Sequence, residues 1–332
     1  MHTSIIKRYI QDLRKKFLYK RNEYGLSIIE GDKEKYDYFN LVNDIELLVK
    51  RFSFLIIKSA GQTESNRNLY YAKIGKGEKK IFYSGSHSGN DWLTSLMLMK
   101  FVEDLCICYE YNKSFSKVLI NDILNKYTFY IMPMVNPDGV ELVVNGLKKD
   151  NVYYEQLLQW NNNSFDFSNW NANIRGVDLN YNYDIYWNKR KAKEPNIGIF
   201  KPGPQNYCGE MPESEAETKA IVNLINNEEF SMVVCYHREE KAVYYLKKQQ
   251  SKLINLKYLV SDKRVYSMGK KTSSEHEGFT YSSFREWFRA EFDKPAITIG
   301  IEDDVEFISD SINFTKLYKQ NIERLLSASI IV

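Results

Sequence analysis

Two histidines, His87 and His237, each stand at the end of a short apolar run, and acidic residues follow both. The first lies in "SGSHSGNDW", residues 84–92, and the second ends "FSMVVCYH". Imidazole nitrogens and carboxylate oxygens are the ligands of catalytic zinc, and the same groups act as general acids and bases. A single histidine would be weak evidence for a metal site or an acid–base site. Two of them at the ends of separate apolar runs, with Asp91 close to one, indicate a metal site or an acid–base site.

The elements that must position these side chains alternate between strands and helices along the chain. Short apolar runs, "KKIFYSGS", "YTFYIMPMV", "FSMVVCYH" and "PAITIGI", are separated by segments with helical periodicity, and "NPDG" predicts a turn. Continuous apolar strands are typical of a parallel or mixed sheet buried on both faces. The pattern predicts an α/β fold with its site at the carboxyl ends of the strands. Residues 1–34 are predicted as an N-terminal helical extension and residues 35–332 as one α/β domain.

Composition and charge argue against several classes of protein. The 332 residues include 46 basic and 43 acidic side chains, with a net charge of +3, and no long basic block predicts a nucleic-acid partner. No apolar run approaches the ~20 residues of a membrane span, and no signal-peptide core is visible. Four cysteines in so long a chain do not predict a disulfide framework. We therefore expect a cytoplasmic protein without a transmembrane segment, and no feature indicates its oligomeric state.

Further motifs are spread from Tyr36 to the C-terminus, among them "NRNLYYAKIGKGEKKIF", "PMVNPDGVELV", "NANIRGVDLNYNYD", "YCGEMPESEAETKAI" and "CYHREEKAVYYL". In this order they resemble the zinc carboxypeptidase family, and within it the bacterial γ-D-glutamyl-diamino-acid peptidases that trim cell-wall peptides. The resemblance implies a mixed, mostly buried eight-stranded sheet with helices on both faces. It also implies a zinc cofactor, a peptide such as a cell-wall stem peptide as partner, and an association with the cell wall or a spore.

The resemblance assigns the family's zinc-ligand positions to Ser88, Asp91 and His237. The family's first zinc motif is His-x-x-Glu, and the matching segment here is "SGND", so serine replaces histidine and aspartate replaces glutamate. The third ligand, a histidine after a strand, is retained. A serine hydroxyl is not ionised near neutral pH and is a poor zinc ligand, and aspartate is one methylene shorter than glutamate.

The catalytic base and the carboxylate anchor of the family are also altered. The general-base glutamate corresponds to Gly300; Glu302 is the candidate replacement, because side chains two residues apart on a strand face the same side. In the pair that binds a substrate carboxylate, the asparagine is retained as Asn180, whereas Tyr181 replaces the arginine.

Three more positions are carried over from the family. Arg67 matches a substrate-binding arginine, and Arg175 is a second candidate for this role. Asp178 matches the aspartate that supports the first zinc histidine.

Two hypotheses about function follow from these substitutions. Changes at four functional positions favour a family member with impaired or lost hydrolysis, whose cleft still binds peptides. The alternative is an active metallopeptidase in which a local bulge turns His87 inward, so that His87, Asp91 and His237 form a shifted zinc site.

Overall fold

The computed structural model describes residues 21–22, 25–29, 35–115, 118–238, 243–246, 265–268, 283–301 and 314–331. The strands in these ranges are β1 (Arg21–Asn22), β2 (Gly25–Leu26), β3 (Ile56–Gln62), β4 (Asn68–Gly75), β5 (Lys79–Gly85), β6 (Ser114–Phe115), β7 (Val118–Leu119), β8 (Tyr127–Met132), β9 (Phe230–His237), β10 (Val243–Leu246), β11 (Val265–Met268) and β12 (Ala296–Gly300). The helices are α1 (Tyr38–Arg51), α2 (Trp92–Glu110), α3 (Ile120–Lys126), α4 (Pro137–Asn145), α5 (Tyr154–Trp160), α6 (Trp187–Lys193), α7 (Ala216–Asn227), α8 (Phe284–Phe292) and α9 (Phe314–Ile331).

Eight of the described strands form one mixed sheet in the order β11-β10-β12-β9-β5-β8-β4-β3. The central strands β12, β9, β5 and β8 run parallel to one another. On either side of them, β4 pairs antiparallel with β8 and β10 pairs antiparallel with β12. The predicted α/β class and the mixed eight-stranded sheet are thereby confirmed.

Helices cover both faces of this sheet, as predicted. Alternate residues of β5 pack in opposite cores: Ile81 and Tyr83 lie with residues of α1, α2 and α9, whereas Phe82 lies with residues of α7 and α8. This double burial explains why the central strands are continuous apolar runs. In the part of the chain described, no helix combines the length and the apolar character needed to cross a bilayer.

The prediction of a turn at "NPDG" is wrong, because this segment begins helix α4. Asn136 caps the helix: its side chain accepts a hydrogen bond from the backbone N–H of Gly139 at 2.9 Å. Pro137 takes the first helical position, where the missing N–H has no helical partner in any case. An Asn-Pro pair therefore suits a helix start as well as a turn.

The described part of the predicted N-terminal extension is a short hairpin that packs on α2. Strand β1 pairs antiparallel with β2. Directly after it, Ser27 Oγ donates to Glu103 Oε2 at 2.8 Å, and Glu103 is fully buried. The prediction of a helical extension over residues 1–34 is therefore wrong for residues 21–22 and 25–26, which form strands; residues 1–20 lie outside the described part of the chain.

The turn after β5 contains His87. It is fixed by the close approach of its backbone to the backbone of residues 170–172. The backbone N–H of Gly89 donates to the carbonyl oxygen of Asn171 at 3.0 Å. A Cβ atom on Gly89 would lie 2.7 Å from the Trp170 oxygen, and one on Gly139 would lie 2.4 Å from the Ala172 oxygen. Both glycines are therefore required for the turn, helix α4 and the segment 170–172 to pack together.

Substitution of Gly139 by alanine should destabilise the fold. Because the new methyl group would overlap a backbone carbonyl, we expect the free energy of unfolding to fall by ~1–3 kcal/mol, the usual cost of overpacking. Urea unfolding measures this loss. Gly203→Ala is the matched control, since a Cβ there would meet nothing within 4 Å. Equal effects of the two substitutions would contradict the steric argument.

Three carboxylates, those of Asp138, Glu215 and Glu217, are buried near the segment that leads to the cleft. Asn173 connects Glu215 to this segment: its Nδ2 donates to Glu215 Oε2 at 2.8 Å, and its Oδ1 accepts from the backbone N–H of Val177 at 3.1 Å. Burial, reinforced by the charge of Asp138, raises the pKa of Glu217 to about 8. The Glu217 carboxyl group is therefore protonated at neutral pH.

The raised pKa of Glu217 predicts how the free energy of unfolding depends on pH. The unfolded chain releases this proton near the ordinary pKa of 4.5, whereas the folded chain retains it up to about 8. The folded state thus binds more protons in this window, so Glu217 lowers the free energy of unfolding as the pH rises through it. Glu217→Gln removes this dependence. Urea unfolding at several pH values should show the variant gaining stability relative to wild type between about pH 4 and pH 8.

The control is Glu46→Gln, because the Glu46 side chain is 63% exposed. This variant should follow the wild-type dependence on pH. A stability difference between Glu217→Gln and wild type that stays constant with pH would contradict the prediction.

Candidate functional site

A cleft of about 400 Å³ opens at the carboxyl ends of β5, β9 and β12. Its described lining comes from the turn after β5, the segments 171–181 and 205–206, the ends of β9 and β12, and the start of α8. These residues are His87, Ser88, Asp91, Asn171, Asp178, Asn180, Tyr181, Gln205, Asn206, Cys235, His237, Ser283, Phe284, Arg285 and Thr298. Seven side chains singled out in the sequence thus meet in one cleft, and their roles remain predictions.

Asp91 and His237 form a hydrogen-bonded pair in this cleft. His237 Nδ1 lies 3.2 Å from Asp91 Oδ2, although 146 positions separate the two residues. Asp91 precedes helix α2, yet its side chain makes no capping hydrogen bond to that helix. The carboxylate is therefore directed at the imidazole. A hydrogen bond at Nδ1 fixes the orientation and the tautomer of a histidine.

His87 is a buried, neutral imidazole. It is 1% exposed, its ring stacks on Phe284 with a centroid distance of 5.9 Å, and its Nε2 lies 3.2 Å from the Tyr183 hydroxyl. Burial, with the nearby His237, lowers the pKa of His87 to about 3. Its Nδ1 has no hydrogen-bond partner within the described residues. A neutral imidazole with an unpartnered nitrogen can accept or donate one further bond.

Ser88 is engaged by a neighbouring turn. Asn180 Nδ2 donates to Ser88 Oγ at 3.0 Å. The turn itself is held by Asp178, whose carboxylate accepts from the backbone N–H groups of Asn206 at 3.0 Å and Asn180 at 3.2 Å. Burial raises the pKa of Asp178, while these hydrogen bonds act in the opposite direction. Asp178 thus holds the turn at Asn180, and the side chain of Asn180 donates the hydrogen bond to Ser88.

The donors at the three positions that the resemblance assigns to zinc fit the metal only in part. Catalytic zinc takes three protein ligands and leaves one position for water. Asp91 and His237 supply a carboxylate and an imidazole, which zinc binds, whereas Ser88 supplies a neutral hydroxyl, which is a poor ligand. Within the described residues, no group of three or more histidine, cysteine, aspartate or glutamate side chains is arranged to hold a metal ion.

Tyr181, which the resemblance assigns to the position of a family arginine, lines the cleft, and the buried guanidinium of Arg190 lies over its ring. The guanidinium carbon of Arg190 lies 4.0 Å from the centre of the Tyr181 ring. Arg190 is fully buried and donates through Nη2 to the carbonyl oxygen of Asn206 at 2.7 Å. The positive charge at this point therefore lies behind the ring, and the cleft presents an aromatic face.

Arg67 and Arg175 do not belong to the described lining of the cleft. Arg67 Nη1 lies 2.5 Å from Asp138 Oδ1, and Arg175 Nε lies 3.7 Å from Glu215 Oε2. Both arginines thus pair with buried carboxylates beneath the 170–178 segment. Their substrate-binding role stays a prediction, and the contacts described are those of structural ion pairs.

The position that the resemblance assigns to the general base has no side chain. Gly300 ends β12 and lies directly opposite His237 in the parallel register of β12 and β9. Glu302, the candidate replacement, lies outside the described residues, so its role as base stays a prediction.

Several residues that line the cleft were not predicted from the sequence. Among them, Arg285 is the one for which the sequence does contain a signal. Arg285 lies three positions before Phe288 and seven before Phe292, which places it on the face of α8 that turns toward the sheet. An arginine within the apolar stripe of a helix is a signal that the sequence does contain. No comparable pattern points to Asn171 or Asn206.

Comparison with known proteins agrees with this fold. The zinc carboxypeptidase family model matches residues 41–318. Gamma-D-glutamyl-L-diamino acid endopeptidase 1 of Lysinibacillus sphaericus is 30% identical over 271 residues, 81% of this chain and 66% of that protein. Mast cell carboxypeptidase A of Mus musculus is 30% identical over 196 residues, 58% of this chain and 41% of that protein. The chain therefore spans about two thirds of the first relative and less than half of the second.

A solved structure supports the same architecture. Bovine thrombin-activatable fibrinolysis inhibitor, in complex with tick carboxypeptidase inhibitor, superposes with a TM-score of 0.64 at 18% identity, covering 90% of this chain and 96% of that chain. At this identity the likeness concerns the fold alone. With the family match extending over most of the sequence, the chain belongs to the zinc carboxypeptidase family.

Proposed function

We propose that this protein binds peptides of the γ-D-glutamyl-diamino-acid kind, as in cell-wall stem peptides, and that its zinc-dependent hydrolysis is impaired or lost. The relative from Lysinibacillus sphaericus, named for its action on gamma-D-glutamyl-L-diamino acids, supports the class of ligand. The single observation that supports the loss of hydrolysis is Gly300, which ends β12 opposite His237 and offers no carboxylate at the position that the resemblance assigns to the general base.

The cleft is suited to a peptide by its neutral polar groups and its rings. Asn171, Asn180 and Gln205 present amides, which hydrogen-bond to peptide N–H and C=O groups. Tyr181 and Phe284 present aromatic surface beside them. Recognition of a peptide by these groups needs no metal.

Hydrolysis, by contrast, makes demands that the described residues do not meet. When zinc is bound in this family, it activates water for attack on the peptide carbonyl, and a carboxylate accepts the proton. In this chain Gly300 offers no carboxylate at the base position, and Ser88 offers no ionised ligand. In this proposal residues 35–332 form the peptide-binding domain, residues 1–34 extend it, and the protein acts in the cytoplasm or at the cell wall.

Zinc content and hydrolysis test this function directly. Protein purified without chelators or a histidine tag should contain far less than one zinc per chain by elemental analysis. It should bind a γ-D-glutamyl-diaminopimelate peptide in calorimetry and release no diaminopimelate from it by chromatography. Stoichiometric zinc together with release of diaminopimelate would overturn the proposal.

One observation favours a second candidate, the active metallopeptidase with a shifted site. His87 lines the cleft beside His237, with a ring-centroid distance of 6.0 Å, and its buried Nδ1 lacks a partner within the described residues. An unpartnered imidazole nitrogen is a potential metal ligand. If the shifted site holds zinc, His237→Ala should lose most of the bound metal. Unchanged metal content in this variant would exclude the shifted site.

Restoring the family residues should restore metal binding. Ser88→His combined with Asp91→Glu supplies the family's ligand set beside His237, and both positions line the cleft. Because three ionisable or imidazole donors then converge, we expect about one zinc per chain after dialysis against zinc. The same variant with His237→Ala is the control and should bind far less. Failure of the restored variant to bind zinc, with its fold intact by circular dichroism, would show that the substitutions at these two positions are not what prevents binding.

A further inference from the structure

Glu217, on helix α7, is a fully buried carboxyl group that lies outside the lining of the cleft. Its Oε1 atom has no hydrogen-bond partner among the described residues. Its Oε2 atom lies 3.4 Å from the Nδ2 atom of Asn173, which is a long hydrogen bond. An ionised carboxylate is costly to bury with so few donors, so the site fits the protonated form of Glu217.

The charged groups nearest to Glu217 are already paired. Asp138, at the start of α4, and Glu215, directly before α7, are the neighbouring acids. Asp138 pairs with Arg67 of the β3–β4 turn at 2.5 Å, and Glu215 lies 3.7 Å from the Nε atom of Arg175. Two carboxylates therefore face two guanidinium groups, and ionisation of Glu217 adds a third buried negative charge.

Two more titratable groups face this cluster, and neither can offset that charge. Glu141, on α4, shares the Arg67 guanidinium at 3.7 Å. Tyr183 lies on the side of the cleft, where its hydroxyl is 3.2 Å from His87 Nε2. Burial, with nearby acids that include Glu217, holds the pKa of Tyr183 well above its ordinary value, so its phenol stays neutral.

The side chain of Asn173 connects the buried acids to the backbone that leads to the cleft. Its Nδ2 atom lies between them, 2.8 Å from Glu215 Oε2 and 3.4 Å from Glu217 Oε2. Its Oδ1 atom accepts hydrogen bonds from the backbone N–H groups of Arg175 at 3.0 Å and Val177 at 3.1 Å. One amide thus contacts both acids and also fixes the turn at 173–177.

Residues on both sides of Asn173 line the cleft. Asn171 lies before it in the chain and Asp178 after it. The Asp178 carboxylate accepts from the backbone N–H of Asn180, whose side chain donates to Ser88. A displacement of Asn173 would therefore move the wall of the cleft.

We propose that Glu217 is a pH-sensitive switch of peptide binding: its ionisation at alkaline pH displaces Asn173 and weakens the binding of a peptide in the cleft. This inference rests on the proposed function and adds regulation to the same site. The physical cause is repulsion between Glu217 and Glu215, the two acids that share the Asn173 amide, and between Glu217 and Asp138. Peptide binding and protonation of Glu217 then favour each other, so binding takes up protons.

Peptide affinity at two pH values tests this inference. Isothermal titration of the wild-type protein with γ-D-glutamyl-meso-diaminopimelate should give a dissociation constant about tenfold higher at pH 9 than at pH 7. The reason is that Glu217, with a pKa of about 8, keeps its proton in only about a tenth of the molecules at pH 9. Glu217→Gln, whose amide imitates the protonated carboxyl group, should have the wild-type pH 7 constant at both pH values.

A control variant and a second measurement isolate Glu217 from other groups. Glu46→Gln changes an exposed carboxylate on α1 and should show the same loss of affinity at pH 9 as the wild type. Ionisation of the peptide itself affects all three proteins alike. Titration of the wild type at pH 8, in two buffers with different heats of ionisation, should show an uptake of about half a proton per bound peptide.

The outcomes separate this inference from the proposed function. Equal wild-type affinity at pH 7 and pH 9, or an equal loss of affinity in the wild type and Glu217→Gln, would overturn the inference and leave peptide binding in place. If circular dichroism shows that Glu217→Gln does not fold, the wild-type uptake decides: no uptake at pH 8 overturns the inference. If the wild type binds no peptide at pH 7, the proposed function fails and the inference fails with it.

Discussion

The parallel pairing of β9 with β5 on one side and β12 on the other is the constraint on which the candidate site depends. It places Gly85 opposite Tyr236 and Gly300 opposite His237, so three strands end at the same edge of the sheet. Residues far apart in sequence meet there because parallel strands need long crossover connections, and each connection here contains at least one helix. A shift of one residue in this register would move each strand-end side chain to the opposite face.

A second constraint concerns the buried polar groups beneath the cleft, which need hydrogen-bond or ion-pair partners from the protein itself. The buried carboxylates of Asp138 and Glu215 pair with Arg67 and Arg175. A buried charge without a partner is costly, so these arginines serve packing first. The 170–178 segment is held by Asn173, which donates to Glu215, and the Asn180 turn that follows reaches Ser88.

Three parts of the fold form the cleft. The turn that leads into α2, the ends of β9 and β12, and the Asn180 turn all contribute to its lining. Within them, Asp91 and His237 bond to each other, His87 is kept neutral by burial, and Gly300 has no side chain. The cleft therefore presents rings and amides, and the ion pair of Arg285 with Glu286 lies in its wall.

Apolar runs and helical periodicity are local patterns, and they suffice to predict the α/β class, the strands, and the grouping of His87, Asp91 and His237 at the strand ends. The motifs also predict which family positions are substituted. How each side chain is used depends on the tertiary structure: Asp91 bonds to His237 and makes no cap to its helix, and Arg67 and Arg175 pair with buried acids. These outcomes depend on contacts between residues distant in the chain, and no local pattern in the sequence encodes such a contact.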